Sequence, residues 1–131
     1  MNDRQRTGVI FFAHGSPIES ANESVREVAR AAARSVGFEL WKAAFLEGGL
    51  PDLAAAVEEL VGAGATRLVV VPYFLTLGLH LRRDLPQLVA NMARLHPDLP
   101  IVCSEPLDPH PALAGILAER AVQTVRARGW D

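Results

Sequence analysis

Four apolar runs, each followed by a segment whose apolar residues recur every three or four positions, constrain what this chain can fold into. Val9 to Ala13 is apolar without a break and stops at His14-Gly15-Ser16-Pro17, the pattern of a strand buried on both faces that ends in a loop. Phe38 to Leu46 alternates and then turns continuously apolar before Glu47 and Gly48-Gly49, which predicts a second strand ending at a carboxylate. Leu68 to Val71 is the strongest strand signal, continued by Pro72-Tyr73-Phe74 and a loop from Thr76 to about His80; Ile101-Val102-Cys103 is the fourth. Between these runs the period changes. From Asn22 onward, Val25, Val28, Ala29, Ala32, Ala33 and Val36 form a helix face closed by Gly37. Pro51 suits the first turn of a helix carrying Leu53, Val57, Leu60 and Val61, closed by Gly62 and Gly64. Leu85, Leu88, Val89, Met92 and Leu95 make a third face with Pro86 near its start and His96-Pro97 at its end. After a loop from Pro106 to Pro111, Leu113, Ile116, Leu117, Ala121 and Val125 make a fourth.

Strands apolar on both faces and separated by helices predict a parallel sheet covered on both sides. The expected fold is α/β: a single three-layer domain over residues 1–131 with a four-stranded parallel sheet. Right-handed crossovers give the strand order 2-1-3-4 and put a topological switch point between strands 1 and 3.

Composition narrows the function classes. The 131 residues, 50% of them hydrophobic, suffice for the core of one domain. Fifteen acidic against 13 basic residues leave a net charge of -2, without the basic stripe a nucleic-acid partner requires. Cys103 is the only cysteine, which rules out an internal disulfide and a cysteine-rich zinc or iron–sulfur site, fits a reducing cytoplasm, and reads as a small core residue. The opening Met1 to Thr7 is polar and does not read as a signal peptide, and no apolar run approaches the roughly 20 residues that span a bilayer. A cytoplasmic protein with no membrane partner is expected.

Open α/β sheets bind ligands beside the switch point at the carboxyl ends of their strands, where loops diverge and helix N-termini face a crevice. His14 ends strand 1, Glu47 ends strand 2, and His80 follows strand 3. A histidine after a strand is more often a packed loop residue, and Glu47 alone reads equally as a carboxylate near a helix dipole. Three such groups on one edge point to a site that handles a metal or protons. Arg82 and Arg83 suit bidentate recognition of ligand carboxylates, or simply a solvated helix start. His110, between Pro109 and Pro111, could line the rim, whereas His96 lies on the opposite side and is assigned no function. Gly62-Ala63-Gly64 follows a helix and precedes a strand, the reverse of a dinucleotide fingerprint. Ser16 lacks the G-x-S-x-G elbow of a serine hydrolase, and Ala13 stands where a histidine phosphatase carries arginine.

The ordered set His14-Gly15-Ser16 with Ala21-Asn22, Ala44-Phe45-Leu46-Glu47, Val70-Val71-Pro72-Tyr73-Phe74, Gly78 to Pro86, and Leu107-Asp108-Pro109-His110-Pro111 resembles the small sirohydrochlorin chelatases over nearly the whole chain. The resemblance implies a class II tetrapyrrole chelatase lobe that inserts a divalent metal into sirohydrochlorin without ATP, in cobalamin or sirohaem synthesis. Co2+ leads as the metal substrate, ahead of Fe2+ and Ni2+, and no organic cofactor is implied. The residues matching the family's metal ligands are His14 and His80, with Glu47 in the same cleft as ligand or proton acceptor; Ser16, Arg82, Arg83 and His110 are expected to contact the substrate. Pairing as a homodimer is implied too. Pro17-Ile18-Glu19 and Thr76-Leu77 depart from the family pattern, which bears on substrate fit more than on metal binding. A non-catalytic metal or tetrapyrrole carrier on the same frame is the alternative reading.

Overall fold

The computed structural model of the protein describes residues 6–130; residues 1–5, Asp131 and the side chain of His80 lie outside the described residues. Four parallel strands, β1 (Thr7–Ala13), β2 (Leu40–Phe45), β3 (Arg67–Tyr73) and β4 (Ile101–Cys103), stand in the order β2-β1-β3-β4. This is the expected α/β sheet. Its helices are α1 (Glu19–Val36), α2 (Leu53–Gly62), α3 (Leu79–Leu95) and α4 (Pro111–Ala127).

The chain moves one way across the sheet from β1 to β2 and the other way from β2 to β3 and β4, so right-handed crossovers put α1 on one face and α2 and α3 on the other. Side chains alternate along each strand accordingly. Ile10 and Phe12 of β1, with Ala44, Leu68 and Val70, pack against Leu53, Ala56, Val57 and Leu60 of α2 and Leu85 and Val89 of α3. Phe11, Ala13, Ala43 and Phe45 turn the other way and meet Val25 and Ala29 of α1. The register pairs Val9 with Trp41 on one side and with Val69 on the other. A slip by one residue would exchange the two faces, so burial on both of them enforces this register.

Helix ends explain where the elements depart from expectation. Helix α1 starts at Glu19 rather than near Asn22, because Ser16 Oγ accepts the Ile18 N–H at 3.0 Å and the Ala21 N–H closes the first turn on the Ile18 carbonyl. It ends as expected at Gly37, whose positive φ of 81° lets the Gly37 and Phe38 N–H groups return to the Arg34 and Ala33 carbonyls. The N-cap of α2 is Asp52, accepting from the Ala55 N–H at 2.9 Å, so Pro51 precedes the helix instead of opening it. Helix α3 begins at Leu79, earlier than the loop to about His80 allowed. Half-buried Leu81 extends the apolar face upstream, and exposed Pro86 is tolerated inside the helix at the loss of one backbone bond. Cys103 is not the core residue expected of it: β4 is a three-residue edge strand and leaves it exposed.

Helix α4 is the thinly packed element. None of its residues is buried, and Ile116, Leu117 and Val122 are exposed.

Phe12 is 1% exposed and meets Phe74 edge-on at 6.3 Å between ring centroids. Phe12→Ala is expected to cost about 3–5 kcal/mol in urea unfolding, and Leu95→Ala, at a position 68% exposed, to stay within about 0.5 kcal/mol. Equal costs for the two would contradict this core.

Candidate metal centre

The pairing of β1 with β2 continues past the strand ends. The Leu46 N–H donates to the Ala13 carbonyl at 2.9 Å, and the Glu47 N–H donates to the His14 carbonyl at 3.0 Å. Residues 14 and 47 are thereby brought side by side in two loops whose backbones touch. Only glycine permits that approach at two points. Gly15 has φ +90°, and a Cβ there would fall 1.6 Å from the Glu47 carbonyl oxygen; Gly48 has φ +71°, and a Cβ there would stand 2.9 Å from the Ser16 carbonyl carbon.

Helix α1 holds both loops through two side chains one turn apart. Asn22, 1% exposed, accepts from the Ser16 N–H at 3.0 Å and donates to the carbonyls of Ser16 and Gly48 at 2.8 and 3.0 Å. Arg26 donates to the Leu50 carbonyl at 3.3 Å and lies 5.3 Å over the Phe45 ring, steadied by Glu19 and Glu23 at 2.6 and 3.1 Å. The hydrogen bond from Arg26 holds the Glu19 carboxyl below its ordinary range. Asn22 entered the sequence reading only as a helix start and within the motif that carries the resemblance, without a role, and Arg26 not at all. The available signal was spacing: Asn22 falls in register with Val25, Ala29 and Ala33, a polar residue on a buried stripe.

His14 Nδ1 lies 3.2 Å from the Gly15 carbonyl oxygen, and Nε2 lies 3.4 Å from Glu47 Oε1. A proton on Nδ1, donated to that carbonyl, leaves the Nε2 lone pair facing a carboxylate. The separation matches the edge of a tetrahedral coordination shell, in which ligands about 2.0–2.1 Å from the ion stand about 3.4 Å apart. The side chains are 60% and 70% exposed, so their direct pairing contributes little and competes weakly with an ion. Among the described residues no group of three His, Cys, Asp or Glu side chains converges on one point. The described nucleus of the site is this pair.

His14 stands at the mouth of a cleft of about 620 Å³ between the carboxyl ends of the strands and α3, walled by Leu46, Phe74, Leu79, Leu81 and Leu88 with Thr76, Asp84 and Gln87. The size and the apolar walls suit a small organic ligand. Residue 80 sits in the first turn of α3 between the lining residues Leu79 and Leu81; the side chain of His80 lies outside the described residues. Arg82 and Arg83 are exposed on the same turn and do not line the cleft, whereas Asp84 and Gln87, not anticipated, do. The Ser16 hydroxyl is engaged with the Ile18 N–H. His110 caps α4, its Nδ1 accepting from the Ala112 N–H at 3.0 Å, and lines a separate groove of about 440 Å³ with Phe11, Val71 and Tyr73.

The CbiX family model matches residues 8–124. The sirohydrochlorin cobaltochelatase of Methanococcoides burtonii is 30% identical over 129 residues, which cover 92% of this chain and 98% of that protein. The chloroplastic sirohydrochlorin ferrochelatase of Arabidopsis thaliana is 30% identical over 113 residues, 86% of this chain and 50% of that protein, so the chain spans about half of this longer relative. The crystal structure of a CbiX protein from Marinobacter aquaeolei VT8, named for cobalamin (vitamin B12) biosynthesis, matches with a TM-score of 0.78 at 29% identity, covering 93% of this chain and 98% of that one.

The loop contact makes glycine at position 15 obligatory. Gly15→Ala should lower stability by more than about 2 kcal/mol, since it combines a left-handed φ with a clash against backbone. Gly78→Ala, whose Cβ would meet nothing within 4 Å at φ -66°, should fall within about 0.5 kcal/mol of the parent in thermal unfolding. A tolerated Gly15→Ala would mean the two loops do not touch.

Proposed function

Because this chain belongs to the CbiX family, we propose that it is a chelatase that inserts a divalent metal into sirohydrochlorin without ATP, for cobalamin or sirohaem synthesis. Co2+ is the leading metal substrate, ahead of Fe2+ and Ni2+, and no organic cofactor takes part. The observation that carries this reading is the facing pair of His14 Nε2 and Glu47 Oε1, 3.4 Å apart, with His14 lining a largely apolar cleft.

Insertion needs a site that holds a hydrated ion loosely and releases it as the macrocycle takes over its coordination, giving up two pyrrole protons. Imidazole and carboxylate bind Co2+ and Fe2+ without strong preference, because such ligands follow the general affinity order and not one ion. A site with two or three protein ligands leaves coordination positions open for pyrrole nitrogens, which a filled tetrahedral shell would deny. In this scheme His14 and His80 hold the ion, and Glu47 assists or takes up a pyrrole proton once the ion has left. The apolar walls Leu46, Phe74 and Leu88 pack the macrocycle. Arg82 and Arg83, exposed and outside the cleft lining, are the proposed contacts for its acidic substituents, being suited to carboxylates; Ser16 and His110, the latter in a separate groove, are proposed as secondary contacts.

Pairing of two copies and a location in the cytoplasm belong to the same proposal. The exposed apolar side chains of α4 and the groove beneath it, walled by Phe11, Val28, Val71 and Ile116, support pairing, as does the half-length match to the ferrochelatase relative. Light scattering after size exclusion should give the mass of a dimer; a monomer at micromolar concentration would remove pairing from the scheme.

The activity is tested by anaerobic visible absorbance of sirohydrochlorin with Co2+, Fe2+ and Ni2+ at substoichiometric protein, with the spontaneous rate subtracted. Multiple turnovers, reduced at least about 100-fold by His14→Ala or His80→Ala, are expected. A spectral shift that saturates at one ligand per site without acceleration would make the protein a carrier instead.

A further inference from the structure

We propose that Asn22 is the positioning residue of the metal centre: its buried carboxamide sets the distance between the loop that carries His14 and the loop that carries Glu47. The inference rests on the metal-binding reading of that pair and deepens it.

An asparagine side chain offers two donors and one acceptor oxygen, and here three bonds go to backbone, with the Glu19 carboxyl as a further side-chain partner. Oδ1 and Nδ2 engage the N–H and the carbonyl of Ser16 together, as a neighbouring strand would, and Nδ2 also donates to the Gly48 carbonyl. Ser16 lies two residues after His14, and Gly48 lies one residue after Glu47. One side chain thus spans both loops next to the two candidate ligands. Its 1% exposure means that cutting the side chain back leaves backbone groups of both loops without their partner in the interior.

The surroundings leave the clamp little freedom. A Cβ at Gly49 would stand 2.9 Å from Asn22 Nδ2 and 3.0 Å from the Phe45 ring, so the second loop is wedged between the two. Arg26, one turn further along α1, fastens the far end of that loop at the Leu50 carbonyl. By contrast, the 3.4 Å His14–Glu47 contact is exposed and too weak to fix its own geometry. The separation of the two donors is therefore inherited from the backbone clamp, which lowers the cost of organising the pair around an ion.

The test is Co2+ affinity, measured by calorimetry on the intact protein for the parent, Asn22→Ala, Asn22→Asp, Glu47→Gln and the Asn22→Ala/Glu47→Gln pair. Asn22→Asp keeps the shape and the acceptor for the Ser16 N–H but cannot donate to Gly48. Both Asn22 variants are expected to bind Co2+ about tenfold or more weakly, the range typical of residues that orient ligands. In the Glu47→Gln background the Asn22→Ala loss should shrink to less than about threefold, since a residue acting through Glu47 couples to it and a merely structural one adds independently. Equal affinity in the parent and the Asn22 variants, or full additivity, overturns the proposal while leaving the metal site standing. Absence of Co2+ binding in the parent overturns the metal-site reading itself and the inference with it. If neither Asn22 variant folds, amide exchange in the parent decides: by reciprocity Zn2+ should slow exchange at Ser16 about tenfold, and an unchanged rate refutes the coupling.

Discussion

The parallel hydrogen bonding between β1 and β2, which runs one residue beyond β1 and two beyond β2, is the constraint on which the rest of the site depends. It brings the His14 carbonyl to the Glu47 N–H, and from that point the two loops have no room for a Cβ at residue 15. A parallel pair needs a crossover helix, and the helix that makes this crossover is α1. The element that joins the two strands is thus the same one that reaches back through Asn22 and Arg26 to hold their loops together. Topology and site geometry are consequences of one connection.

Much of this was legible in the sequence because burial on both faces of a parallel sheet leaves little ambiguity. The runs at Val9 to Ala13 and Leu68 to Val71 could hardly be other than inner strands, and right-handed crossovers then left one strand order. Residues that end strands were equally accessible, which is why the juxtaposition of His14 and Glu47 could be anticipated. What escaped was structure decided by single hydrogen bonds. The early start of α1 depends on the Ser16 hydroxyl, and the N-cap of α2 on Asp52 rather than on Pro51. Pro86 suggested a helix start, but the apolar face through Leu81 outweighs one missing N–H. Asn22 was legible only as a helix start and as part of the motif His14-Gly15-Ser16 with Ala21-Asn22; its role follows from its register with the buried stripe of α1. Cys103 was misjudged for another reason: apolar neighbours in sequence do not reveal that a strand lies at an edge.

The site combines a rigid frame with a loosely engaged pair of donors. Backbone contacts and a buried carboxamide fix the loops, while the imidazole and carboxylate they present remain more than half exposed. That division suits the proposed chemistry, in which an ion must be gripped in a defined place yet surrendered to a macrocycle.

The central claim is that His14 Nε2 and Glu47 Oε1 together grip a divalent ion. X-ray absorption of the Co2+-loaded protein tests it most directly. The account predicts nitrogen and oxygen neighbours at about 2.0–2.2 Å with the outer-shell scattering of imidazole, diminished in His14→Ala, and a lost oxygen neighbour or a longer bond in Glu47→Gln. Spectra from both variants identical to that of the parent would place the ion elsewhere and contradict the account.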